Sequence, residues 1–179
     1  APDSKEVLFA ASTNSNTAAY QEPNFQLYRV SISGGDAIAL TSMEENFENP
    51  AFSLDGKYLI CLSSITNNNK VYNENKLVRF DWPTMKNKAI LNSKLDRPIQ
   101  NYCIAADKLY LAVEDRGHNT IYSIHIANAS LNKLSKEAIG SYSNLSCSKT
   151  NPAIVVGNYE SATMPPEIVR FTEERTHYS

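Results

Sequence analysis

Few residues in this chain could do chemistry. They are His118, His125 and His177, Cys61, Cys103 and Cys147, and two charged runs, Glu44-Glu45 and Glu114-Asp115-Arg116. The serine nucleophile of an α/β-hydrolase needs Gly-x-Ser-x-Gly, because its strained strand-to-helix turn requires close backbone approach. The six glycines, Gly34, Gly35, Gly56, Gly117, Gly140 and Gly157, never take that spacing. A Ser/His/Asp triad is defined by geometry rather than order, and nothing in the sequence places one. No HExxH, histidine cluster or CxxC offers metal-ligand spacing. Gly34-Gly35 suits a hairpin turn better than a phosphate loop. The expectation is a chain with no catalytic residue, no metal and no cofactor.

The remaining groups read plainly. Glu44-Glu45 lies in a polar stretch and reads as a solvated charge pair. Glu114, Asp115 and Arg116 end an apolar run and are better placed to line a funnel. They are the candidates for a substrate path, against the simpler reading of a charged turn that orients a hairpin. Each cysteine sits in or beside an apolar run and reads as a buried free thiol. A chain this long and this poor in cysteine has no need of a disulfide framework. The compartment stays open, with periplasmic or secreted and cytoplasmic both allowed.

The elements that must position these residues are strands. The 179 residues carry a net charge of -2, 42% hydrophobic and 20% charged residues, which is ordinary globular composition. The near-neutral balance argues against nucleic acid as a partner. No apolar run approaches the roughly 20 residues of a membrane-spanning helix. The opening Ala1-Pro2-Asp3-Ser4-Lys5 lacks the basic and apolar segments of a signal peptide. Apolar runs are short and β-branched or aromatic, as in Tyr58-Leu59-Ile60-Cys61-Leu62 and Ala153-Ile154-Val155-Val156. Turn signals separate them at Ser33-Gly34-Gly35-Asp36, Asp55-Gly56, Asn67-Asn68-Asn69 and Arg116-Gly117. The best helical segment, Leu131 to Ile139, suits a strand and turn equally well.

Two motifs recur in phase. A polar turn followed by an apolar run begins at Asp3, Asp55, Asp107 and, in degenerate form, Asn151. Between copies lie Leu27-Tyr28-Arg29-Val30, Leu77-Val78-Arg79-Phe80, Ile121-Tyr122-Ser123-Ile124 and Ile168-Val169-Arg170-Phe171. Four short strands per unit of about 45–50 residues is the mark of a β-propeller blade. The apolar run is expected to be the inner strand, where blades crowd. An ordinary β-sandwich with accidental similarity is the alternative.

Asn49-Pro50-Ala51-Phe52-Ser53-Leu54-Asp55-Gly56-Lys57-Tyr58-Leu59 resembles the blade motif P-x-[WF]-S-P-D-G-K-x-[IL], with Leu54 in place of Pro. That motif belongs to TolB-like propellers and to the propellers of prolyl oligopeptidase-family serine peptidases. Ser161-Ala162-Thr163-Met164-Pro165-Pro166-Glu167-Ile168 resembles the last blade of the acylaminoacyl- and dipeptidyl-peptidase branches. Arg175-Thr176-His177-Tyr178-Ser179 is similar to the segment that leads from that blade to the hydrolase domain. The resemblance implies an all-β partial propeller of about 3.5–4 four-stranded antiparallel blades. Approximate units are residues 1–48, 49–100, 101–144 and 145–179. It implies a non-catalytic fragment that gates peptide access to a missing hydrolase domain. Its partners would be that domain and the parent's peptide substrate, with self-association through exposed blade faces. A TolB-like propeller that binds a protein partner is the rival reading.

Overall fold

The computed structural model describes residues 1–17, 19–20, 23–42, 44–65, 74–135, 139–150 and 152–171, together with the backbone of 176–178. All regular structure among them is β-strand, in four antiparallel sheets. The chain forms two compact units, Ala1–Ile90 and Leu91–Ser179, with two sheets in each.

In the first unit, β1 (Glu6–Ser12), β2 (Phe25–Ser31) and β3 (Ile38–Ala39) form one sheet in that order. The second sheet runs β4 (Glu45–Phe52), β5 (Tyr58–Ile65), β6 (Lys76–Asp81) and β7 (Lys86–Ile90). Between them lies a core of Leu27, Phe47, Leu59, Cys61, Val78 and Phe80. Leu27 and Leu59 are fully buried, and each such side chain contributes roughly 1.5–3 kcal/mol of burial free energy. The 66–73 segment, with its Asn67-Asn68-Asn69 turn, lies outside the described residues.

The Asp55-Gly56 turn shows why its residues recur. Ser53 Oγ donates to Asp55 Oδ1 at 2.7 Å, and Lys57 N–H donates to the same carboxylate oxygen at 3.1 Å. Gly56 N–H closes the turn on Ser53 carbonyl at 2.9 Å. Gly56 has φ +70°, and a Cβ there would stand 3.1 Å from the Pro2 ring. The position therefore suits glycine on two counts.

The second unit pairs β8 (Ile99–Ala105), β9 (Lys108–Asp115), β10 (His118–His125) and β11 (Leu131–Lys133) as one sheet, with β11 and β8 at its edges. The other sheet runs β12 (Ser141–Cys147), β13 (Val155–Ser161), β14 (Met164–Phe171) and β15 (Thr176–Tyr178). Their core joins Tyr110, Ala112, Ile121, Tyr142, Tyr159, Val169 and Phe171. The ambiguous Leu131–Ile139 segment begins as strand β11, and 136–138 lie outside the described residues.

Two expectations are corrected. In three of the four sheets the recurring apolar run is not at a sheet margin. In every four-stranded sheet it is the second strand (β5, β9, β13), with β4, β8 or β12 at the edge beside it. Pairing on both sides explains its apolarity: five consecutive residues are buried in β5 and five in β9. The cysteines are not all free either. Cys103 of β8 and Cys147 of β12 form a disulfide, with Cα atoms 5.7 Å apart, joining the edge strands of adjacent sheets. Only Cys61 stays a buried free thiol, and burial pushes it up to about 12.

Candidate functional site

Glu114 and Asp115 end β9, and Arg116-Gly117 form the two-residue turn into β10. Arg116 has φ +53° and Gly117 φ +82°, the left-handed pair that a tight hairpin requires. Both carboxylates are tied back to the strand-entry segment of β8. Gln100 Nε2 donates to Glu114 Oε2 at 2.9 Å, and Arg97 Nε donates to Asp115 Oδ1 at 3.0 Å. The Arg97 hydrogen bond outweighs desolvation and, with the charges of Arg97, Arg116 and Lys133, holds the Asp115 carboxyl below its usual value. Glu114 and Arg116 are exposed. The group places charge and hydrogen-bonding capacity at an exposed hairpin end, with His118 as the cross-strand partner of Asp115.

The histidines do not converge. His118 and His125 open and close β10, about 23 Å apart at strand rise. His125 Nε2 sits 2.9 Å from Asp107 Oδ2, and its Nδ1 accepts from Ala127 N–H at 3.2 Å. Both ring nitrogens are thus engaged, one by the β8–β9 turn and the other by the β10–β11 turn. His177 lies on β15 in register with Arg170. Among the described residues no group of three His, Cys, Asp or Glu could hold a metal ion.

The first unit holds a second polar centre. Gln26, buried on β2, donates from Nε2 to Glu45 carbonyl at 2.6 Å and accepts from Thr41 Oγ1 at 2.6 Å. This pins the start of β4 beside the β3 turn. The Glu45 carboxylate meets Lys88 Nζ at 2.5 Å and accepts from Ser63 Oγ. Burial alone would raise the Glu45 carboxyl, but the hydrogen bonds from Lys88 and Ser63 and the Lys88 charge outweigh it and lower the value. Lys88 also lies over the Phe47 ring, 5.4 Å from its centre. A cavity of about 430 Å³ opens here, lined by Leu40, Thr41, Glu45, Phe47, Phe80 and Lys88 among others. The sequence reading of a solvated Glu44-Glu45 pair is therefore corrected for Glu45: Glu44 is exposed, while Glu45 is half of a partly buried ion pair. Its partners lie on β5 and β7, and no local sequence signal announces them.

Among the described residues no helix is long and apolar enough to cross a membrane. No protein-family model matches the sequence, and no curated protein matches it significantly. Solved structures do. The β-propeller domain of the Trilobed protease from Pyrococcus furiosus, described as having an open velcro topology, superposes with a TM-score of 0.71 at 15% identity. The match covers 97% of this chain and 48% of that one. Acylaminoacyl peptidase from Pyrococcus horikoshii matches with a TM-score of 0.73 at 14% identity, over 97% of this chain and 25% of that one. A putative TolB from Agrobacterium tumefaciens matches with a TM-score of 0.66 at 10% identity, over 99% of this chain and 61% of that one. The chain thus spans about half the length of the first and a quarter of the second. At these identities the likeness establishes the fold: the four sheets are blades of the β-propeller kind.

Proposed function

We propose that this chain is the non-catalytic propeller portion of a prolyl oligopeptidase-family serine peptidase, where it gates peptide access to an α/β-hydrolase domain carried elsewhere in the parent protein. The observation that carries the reading is the fold match over 97% of the chain to acylaminoacyl peptidase, taken with the Asn49–Leu59 and Arg175–Ser179 segments that resemble that family's motifs. The four units 1–48, 49–100, 101–144 and 145–179 act as successive blades. Glu114, Asp115 and Arg116 line the substrate path, supported by the exposure of Glu114 and Arg116. The hydrolase domain supplies the serine nucleophile, its His and Asp, and an oxyanion hole for acyl transfer. The partners are that domain and a peptide substrate. The Cys103–Cys147 disulfide fits an oxidising compartment.

The second reading is a TolB-like propeller that binds a protein partner. It is favoured by the larger share of the TolB chain that is matched, 61%. The parent reading frame after Ser179 separates the two. A Gly-x-Ser-x-Gly within about 250 further residues, the size of a single α/β domain, is the expected result for the peptidase. A stop codon soon after Ser179 overturns it.

A further inference from the structure

Two Asn-x-Ser triplets occur in the chain, Asn128-Ala129-Ser130 and Asn144-Leu145-Ser146. Such a triplet, with no proline in the middle, is the acceptor for an N-linked glycan, a bulky polar group that needs a surface position. The two triplets lie in different surroundings. Asn144 sits at the register shift of β12, an edge strand that the bridge at Cys147 ties to β8. Leu145, in the middle of that triplet, is buried in the core with Tyr142 and Phe171. Asn128 lies in the turn from β10 to β11, where Asn128 and Ser130 are both exposed. Among the described residues β11 pairs with β10 alone, so the turn stands at an open edge of its sheet.

The turn closes without the Asn128 amide nitrogen. His125 N–H bonds to Ser130 carbonyl at 3.0 Å, and Ala129 N–H to His125 carbonyl at 2.9 Å. Ala127 N–H donates to His125 Nδ1 at 3.2 Å, and Ser130 N–H donates to Asn128 Oδ1 at 3.0 Å. The last bond is an Asx turn, in which an asparagine carboxamide holds the backbone two residues on. It uses the carboxamide oxygen and fixes the plane of the group. Nδ2, the atom that carries an N-linked glycan, has no partner among the described residues, and neither has the Ser130 hydroxyl. The acceptor nitrogen and the hydroxyl of the triplet are thus both presented to solvent on an anchored turn.

We propose that Asn128 is an N-glycosylation site. The donor is an oligosaccharide carried on a lipid pyrophosphate. Nδ2 bonds to C1 of the first sugar, the bond from C1 to the pyrophosphate oxygen breaks, and Nδ2 gives up one proton to the transferase. The lipid pyrophosphate is the leaving group. The Cys103–Cys147 bridge, in the same unit, is the independent observation. Disulfides persist in the oxidising compartments of secreted proteins, and secreted chains are the ones in which such triplets are modified. A glycan at Asn128 displaces no buried group, whereas one at Asn144 shares the β12 edge with the bridge to β8.

The test secretes the full chain from a eukaryotic host behind a cleavable leader and reads its intact mass. The chain carries S146A, which leaves Asn128-Ala129-Ser130 as the single triplet. The expected product is heavier than the polypeptide by one glycan. Digestion with a peptide N-glycosidase should remove that mass and leave Asn128→Asp, the product of hydrolysing the sugar-bearing amide. N128Q and S130A change two exposed positions, and each should abolish the added mass. S130T keeps the hydroxyl and should retain it. A secreted S146A chain with no glycan overturns the proposal. Added mass that survives N128Q or S130A overturns it as well, since the sugar is then held elsewhere.

Discussion

At the scale of single residues, the cysteines and Glu45 carry the largest departures from the sequence reading, and both are testable. Cys103 and Cys147 are 44 residues apart, the same step that separates Leu77 from Ile121 in the repeat. A 44-residue loop closed by a disulfide is worth about 4 kcal/mol on the chain-entropy estimate. Unreduced, denatured protein should take up one iodoacetamide, at Cys61, and reduced protein three; three without reduction would refute the bridge. In the native state Cys61 should not react, because its thiol is buried and its value is raised to about 12. The signal was in the sequence, but only for cysteines read against the repeat rather than one at a time. Glu45 left no such trace, since Ser63 and Lys88 reach it only once three other strands are in place. Its carboxyl is lowered on folding. The ion pair's contribution is therefore fully present above the ordinary carboxylate range and fades as pH falls through the folded-state value. A double-mutant cycle of E45Q and K88M, followed by urea unfolding, should give a coupling of about 0.5–1 kcal/mol near neutral pH, the scale of a partly solvated pair. It should shrink as pH falls below the ordinary carboxylate range toward the folded-state value; a coupling that does not fall with pH contradicts the assignment.

At the scale of elements, strand existence followed from composition and turn chemistry, whereas strand position within a blade did not. The apolar run Tyr58–Leu62 announces a doubly flanked strand, but equal apolarity is expected of a strand crowded at an axis, so one-dimensional pattern left the two places degenerate. The asymmetry appears only in pairing: Asn49-Pro50-Ala51-Phe52 is polar enough to be an edge, and β4 carries a register shift between Glu48 and Ala51 of the kind that edges tolerate. The turns were the most legible elements, because left-handed backbone selects for few residues. Gly56 and Gly117 both have positive φ, yet a Cβ on Gly117 would meet nothing within 4 Å while one on Gly56 would press on Pro2. Gly117→Ala should accordingly cost about 1 kcal/mol of backbone strain. Gly56→Ala should cost more, about 2 kcal/mol, since the contact adds to the strain. Denaturant unfolding of the two variants checks the order, and equal losses would show that the Pro2 contact relaxes freely.

At the scale of the molecule, the repeat itself has a physical consequence. A blade buries its two faces against its neighbours and its edges against its own strands, and among the described residues the first sheet has no strand on one side of β1. In the first unit Val7, Ile32 and Ile38 are 50%, 65% and 56% exposed, and in the second Ile154 and Ile168 are 41% and 63% exposed. An open strand edge beside exposed β-branched side chains is a template for pairing with another copy. The 179-residue chain should therefore self-associate, with its mass by light scattering rising above that of the monomer as concentration passes through the tens-of-micromolar range typical of weak contacts. A Val7→Lys change, which places a charge on β1 without touching the two cores, should lower that association. A monodisperse monomer at all concentrations would mean that the exposed faces are self-sufficient, and would remove the physical reason for regarding these blades as part of a larger propeller.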